Sequence, residues 1–257
     1  GTQQPDGETL STTYIYGYSD WDIDQKFIIR PVDPLTVTLA GTYYNHEQYS
    51  SSKVHDLYHG YTGRLNLNYE INERQNLEAS YKFDEYDKFD YYLLLNERDK
   101  NYVNLQHTGR LQYNNTFRKA GTLTAGLEFF GDKLNTYQFD SDDPEHSTET
   151  YVAFAQHDVD LIPRLNLVYG ALLDYHSTYG AHVSPKVSLM YKLRPVTFRA
   201  SYGEGFKSPT LKELYTDWSH QGMFQLIGNP DLIPEKSRNF SLSAEYTQKR
   251  VSASVIG

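Results

Sequence analysis

The chain has 257 residues, a formal net charge of −9 from 24 Lys+Arg against 33 Asp+Glu, and no cysteine. That balance argues against a nucleic-acid binder, which presents a basic face. Without thiols there is no disulfide framework, thiolate zinc site or cysteine nucleophile. No stretch approaches the roughly 18 consecutive apolar residues of a membrane helix, but a membrane β-barrel stays open, because its strands alternate polar and apolar residues. Aromatic residues make up 15%, with 24 Tyr, 12 Phe and 2 Trp. Tyrosine belts at two water–lipid boundaries need such a supply. A soluble all-β domain with Tyr-rich loops is the other reading.

Residues 1–10 (GTQQPDGETL) have neither a charged n-region nor an apolar h-region, so they carry no secretory signal. Further on, the pattern has period two. Leu65, Leu67 and Tyr69 alternate with Arg64, Asn66, Asn68 and Glu70. Leu77, Ala79, Tyr81 and Phe83 alternate with Glu78, Ser80, Lys82 and Asp84. Val103, Leu105, Leu111 and Tyr113 alternate with Asn104, Gln106, Arg110 and Gln112. The pattern returns at Leu165–Tyr175 and at Phe240–Tyr246. Successive strand side chains point to opposite faces, so these are two-sided strands. We count about twelve, the last incomplete at Val251–Gly257, which reads as a strand cut in mid-course and the chain as an internal fragment of a longer one.

Alternation alone does not separate a sandwich from a barrel. The links do. Short turns are expected near Pro31–Pro34, Ile71–Gln75, Asn114–Ala120, Ile162–Arg164, Arg194–Pro195 and Thr247–Arg250. They alternate with longer links near Asn45–Leu57, Glu85–Lys100, Asp140–Thr148, His176–Ala181 and Phe206–Lys236. A meander with one short-turn end and one long-loop end is the plan of an outer-membrane barrel. The fold expected is all-β: part of an antiparallel up-and-down transmembrane β-barrel. Leu65, Leu67, Leu77, Leu105, Leu167 and Leu242 should face lipid. Arg64, Glu78, Lys82 and Arg110 should face the lumen.

The richest segment is Arg199–Tyr215 together with Gly228–Ser237. Pro209 donates no hydrogen bond, so strand pairing should stop there. Thr210 is placed to cap a short helix over Leu211–Tyr215, with Glu213 as the capping-box acid. Asn229-Pro230 and Ile233-Pro234 then mark a rigid turn. Phe206-Lys207-Ser208-Pro209 followed by Gly228-Asn229-Pro230-Asp231-Leu232-Ile233-Pro234-Glu235 resembles the paired motifs of TonB-dependent outer-membrane receptors. The Tyr151–Tyr175 segment and Ser184-Pro185-Lys186 resemble the same family.

The resemblance implies a twenty-two-stranded barrel in the outer membrane of a Gram-negative bacterium, filled by a plug and driven by the TonB complex. This chain, residues 1–257, would be about half the barrel, without the plug or the C-terminal strands. The implied partners are outer-membrane lipid, the TonB complex through the plug, and haem, cobalamin or a siderophore. No nucleic acid and no intrinsic cofactor are implied.

Haem receptors of that family carry a His between the two motifs, and His220 stands there in Trp218-Ser-His-Gln-Gly-Met223-Phe224. Haem is therefore the favoured cargo, with His220 as an iron ligand and Trp218, Met223 and Phe224 against an apolar macrocycle. Lys207, Ser208 and Asp231 depart from the usual Arg, Ala and Asn. Cobalamin and ferric-siderophore receptors share both motifs, and a non-transport barrel or adhesin is the competing class. Asp140–Glu145 is acidic enough to suggest Ca²⁺ but lacks the glycine and terminal glutamate of an EF-hand loop. Carboxylates Glu85, Asp87 and Asp90 among Tyr86, Phe89, Tyr91 and Tyr92 mark an extracellular strand extension. No G-x-S-x-G or H-E-x-x-H motif is present, so no enzyme is read.

Overall fold

A computed structural model describes residues 17–220, 222–248 and 251–257; the side chain of His220 lies outside the described part. The strands run in chain order as β1 (Tyr18–Val32), β2 (Leu35–Gln48), β3 (Val54–Asn72), β4 (Gln75–Tyr92), β5 (Glu97–Phe117), β6 (Gly121–Thr136), β7 (Glu145–Ile162), β8 (Leu165–His176), β9 (Gly180–Leu193) and β10 (Val196–Lys207). Then come helix α1 (Leu211–Tyr215), a hairpin of β11 (Asp217–His220) and β12 (Phe224–Ile227), and strands β13 (Glu235–Gln248) and β14 (Val251–Ile256). Twelve strands form one sheet in the order β1 to β10, β13, β14. Neighbours in sequence are neighbours in space throughout, so the meander expected from the links is the topology found. The sheet is not closed among the described residues: β1 and β14 are its two edges.

Register explains why the alternation is strict. Val37, Leu67, Ala79, Leu111, Leu127, Ala153, Leu173 and Val183 stand directly opposite one another on eight successive strands. Directly opposed residues project to the same face, so this row is one apolar stripe running across the sheet. The stripe is bounded by aromatic rows. On one side Tyr81, Phe129, Tyr151 and Tyr175 share a row, and Tyr43 opposes Tyr61 two rows further out. Tyr69, Tyr113 and Tyr169 stand toward the short-turn end. A single-residue slip would exchange the two faces of a strand.

The lipid-facing leucines expected from sequence lie on this face. Leu105 is the qualified case: it shares the face but opposes Glu85 and Lys133, level with Tyr43 and Tyr61 and above the Tyr81 row. The opposite face is polar. Thr38, Asn66, Ser80, Arg110 and Glu128 form one row across it, and Arg64 and Lys82 stand in the next. Arg110 pairs with Glu128 at 2.7 Å and lies 4.9 Å from the Phe154 ring. Lys82 pairs with Asp84 at 2.6 Å, and Glu78 accepts from Asn76 at 2.7 Å.

One expectation is corrected in detail. The links near Asn45–Leu57 and Glu85–Lys100 are strand for most of their length, leaving only residues 49–53 and 93–96 outside β2–β5. β5 alone has 21 residues. At about 3.4 Å each that is about 70 Å, far more than an apolar band about 25 Å tall requires. Cross-strand aromatic contacts hold the projecting part in strand form, as between Tyr58 and Tyr86 at 6.1 Å and between His46 and Tyr58 at 5.3 Å.

The assigned faces predict opposite outcomes for two neighbouring substitutions. Leu67→Arg puts a cation into lipid and should cost roughly 2–4 kcal/mol near the midplane, whereas Asn66→Arg points to the wet side and should be tolerated. Heat-modifiable gel migration of the full-length protein after membrane assembly reads the difference. Equal assembly of both variants would reverse the assignment.

Candidate ligand-binding mouth

The link between β10 and β13 spans residues 208–234 and is built from the two proline-bearing motifs. Phe206 lies near the end of β10, its ring stacked on His182 at 3.9 Å. Lys207 closes the strand opposite Glu235. Ser208 and Pro209 follow as coil, and Thr210 begins α1 as expected. The Thr210 hydroxyl accepts from the Glu213 N–H at 3.3 Å, and the Thr210 N–H donates to the Glu213 carboxylate at 2.7 Å. The Thr210 N–H first, and then the Thr210 hydroxyl donating to the same carboxylate oxygen at 2.8 Å, hold the Glu213 carboxyl below the usual carboxylate range.

The second motif closes on this helix. Asn229 N–H donates to Glu213 C=O at 2.9 Å, and Gly228 N–H donates to Thr216 C=O at 2.5 Å. Gly228 has to be glycine here: a Cβ would lie 2.6 Å from Leu214 O. Asn229 Oδ1 accepts from the Asp231 N–H at 3.0 Å, an Asx-turn that Pro230 stiffens. Leu232 donates its N–H to Asn229 C=O and accepts the Tyr179 hydroxyl at 3.1 Å. The two motifs are one hydrogen-bonded frame.

The frame reaches inward. Leu211 and Leu214 are buried, Leu211 against Leu134 and Phe139 with Tyr102 and Tyr215 beside them. Tyr215 stacks on His146 at 3.7 Å, and Asp217 N–H donates to Gln138 C=O at 2.8 Å. Leu134, Tyr102 and His146 belong to the polar face of the sheet. A loop rooted between β10 and β13 therefore crosses to β5–β7 on that face, which makes it the interior. Burying leucines of this size contributes about 1.5–3 kcal/mol each.

The tip of the loop is the β11–β12 hairpin. Trp218 opposes Leu226, and His220 opposes Phe224 in register. Trp218 meets Tyr137 edge-on at 6.2 Å and Phe224 at 6.3 Å. Met223 is 69% exposed and Phe224 52%.

Sequence reasoning missed an aromatic ladder on the interior wall. Tyr58 stacks with Tyr86 at 6.1 Å, Tyr86 meets Tyr102 edge-on at 6.1 Å, and Lys212 of α1 sits 4.8 Å over the Tyr102 ring. The available signal was parity: these tyrosines occupy the polar register of their strands. Parity also divides the acidic extension, since Tyr86 and Asp90 share the interior register while Glu85 and Asp87 lie on the other face. In the acidic loop, Asp140 caps its own turn by accepting the Asp142 N–H at 3.0 Å, and Glu145 pairs with Lys133 at 2.7 Å. Among the described residues no three His, Asp or Glu side chains converge to hold a cation.

The family described as TonB dependent receptor-like, beta-barrel matches residues 1–256. An iron-regulated outer membrane virulence protein of Vibrio cholerae is 35% identical over 103 residues, 39% of this chain and 16% of that protein. The vitamin B12 transporter BtuB of Photobacterium profundum is 27% identical over 137 residues, 52% of this chain and 21% of that protein. Among solved structures, the siderophore receptor PirA from Pseudomonas aeruginosa superposes with a TM-score of 0.77 at 19% identity, over 93% of this chain and 45% of that one. The matched part of this chain thus spans about a fifth or less of these curated relatives' length.

The capping box carries a pH dependence. The Glu213 pKa is lowered in the folded loop, so its contribution is full above the ordinary carboxylate pKa and is lost as pH falls through the depressed value. Thr210→Ala should remove about 1 kcal/mol of local stability. Hydrogen exchange at the amides of α1 should speed up in that variant at neutral pH, and in the wild type the protection of those amides relative to their intrinsic exchange rate should fall on acidification. Unchanged exchange in Thr210→Ala would show that the cap does not hold the loop.

Proposed function

Because the chain belongs to the TonB-dependent receptor-like β-barrel family, we propose that it is the cargo-gripping part of a receptor that imports haem. The protein resides in the outer membrane of a Gram-negative bacterium. The observation that carries the haem reading is the hairpin tip: Trp218, Met223 and Phe224 gather apolar and thioether surface around the position of His220, on a frame that touches the aromatic ladder through Lys212. A planar macrocycle of large apolar area suits such walls. An imidazole supplies an axial bond to its iron. In this reading a plug carried elsewhere in the protein occupies the lumen and couples release to the TonB complex. The protein acts as a receptor and transporter, not as an enzyme.

A ferric siderophore or cobalamin is the second reading. It is favoured by the similarity to an iron-regulated outer membrane virulence protein and to a vitamin B12 transporter.

The test uses the full-length receptor. His220→Ala should weaken haem binding and shift the Soret band while leaving cobalamin binding unchanged. Acidification through the imidazole pKa of about 6.5 should mimic the substitution, since a protonated ring does not ligate iron. Unchanged haem spectra and affinity in the variant would remove haem ligation by His220 and give the lead to the second reading.

A further inference from the structure

The two ends of the sheet differ in charge as well as in length. The described short turns at 33–34, 73–74, 118–120, 163–164 and 194–195 carry Arg74, Arg118, Lys119, Arg164 and Arg194 against Asp33 and Glu73. The sequence repeats the pattern at Lys249 and Arg250, which lie outside the described residues. Links at the opposite end carry Lys53 and Lys212 against Asp140, Asp142, Asp143, Glu213, Asp217 and Asp231. All five described turn cations are exposed. Among the described residues, the ion pairs lie on other side chains.

One of these turns adjoins a groove. Phe117, Leu123, Ala155, His157, Tyr169 and Gly170 line an outward hollow of about 280 Å³. Leu123, His157 and Tyr169 stand directly opposite one another, at the short-turn edge of the apolar stripe. The small side chain of Ala155 leaves the floor low between the taller Phe117 and Tyr169.

The adjacent turn is fixed in place. His157 Nε2 lies 2.5 Å from Ala120 O and Nδ1 lies 3.1 Å from the Tyr169 hydroxyl. A carbonyl only accepts, so Nε2–H donates to it and Nδ1 accepts from the phenol. Gly121 has φ +80, and a Cβ there would lie 1.9 Å from Asp158 O. The turn is therefore held tight against β7, and it carries Arg118 and Lys119, which directly follow the groove residue Phe117 in the chain.

We propose that the groove and these two cations form a binding site for an anionic glycerophospholipid of the periplasmic leaflet. One acyl chain lies over Leu123 and Ala155, and the phosphodiester sits between Arg118 and Lys119. Arg74, Arg164 and Arg194 extend the attraction around the rim. Charge selects this occupant: exposed cations in excess over the acids at the edge of an apolar stripe favour a lipid with net negative charge over a zwitterionic one. Two such residues strengthen attraction to an anionic surface by about thirtyfold together. The site depends only on membrane insertion and is independent of the imported cargo.

The experiment is native mass spectrometry of the full-length receptor titrated with phosphatidylglycerol or phosphatidylcholine, with heat-modifiable gel migration as the check on folding. Wild type should retain phosphatidylglycerol in preference. Arg118→Gln with Lys119→Gln should weaken that retention by about thirtyfold. Lys133→Gln, on the outward face at the opposite end, should leave it unchanged. Ala155→Leu should fill the groove and lower retention of both lipids. Equal phosphatidylglycerol retention by wild type and the double variant, or no preference of wild type between the lipids, overturns the site. If the double variant does not fold, salt decides on wild type: retention of phosphatidylglycerol alone should fall as salt rises, and insensitivity to salt overturns the proposal.

Discussion

A backbone N–H or C=O in hydrocarbon has no water to turn to, so it has to be paired by the neighbouring strand. That constraint forces the strands into one continuous ladder; the apolar alternation and the short turns then choose its register, and the register fixes the faces. Once Leu67 stands opposite Val37 and Ala79, the apolar stripe, the aromatic rows on either side and the polar interior follow as a matter of parity. The interior ion pairs are minor beside this. Arg110–Glu128 and Arg199–Glu245, at 2.7 Å each, are solvent-exposed enough to be screened and add little. They occupy a wet wall; they do not hold it up.

The same pairing continues above the lipid. There the strands carry tyrosine and histidine on the interior register, so the mouth is a stiff sheet lined with rings. The loop between β10 and β13 lies against this wall through a few buried side chains, chiefly Leu211 and Leu214. The paired proline motifs act as construction: Pro209 ends the ladder, Thr210 starts α1, and Gly228 and Asn229 return to bond with that helix.

Much of this was legible in the sequence. Period-two alternation located the strands and their faces, and links of alternating length gave the meander. Thr210 and Glu213 predicted α1 to the residue, because a capping box is a local device. The extent of the projecting strands was not legible. Polar, ring-rich stretches such as Glu85–Tyr92 read equally as loop, and only their cross-strand partners make them strand. The aromatic ladder was hidden for the same reason, since Tyr58, Tyr86 and Tyr102 are far apart in sequence and meet only in register. Residues Trp218, Met223 and Phe224 were found as a local cluster, but their place on a hairpin carried by the frame depends on contacts with β6 and the loop that follows it.

The bonds from Gly228 and Asn229 back to α1 have one more consequence. A 27-residue excursion, residues 208–234, is pinched shut at its base, so the freely closing piece is little more than the hairpin itself. Closure entropy grows only slowly with length. The hairpin can therefore lengthen, shorten or change its side chains while the base keeps its geometry. It behaves as an exchangeable cassette on a constant mount.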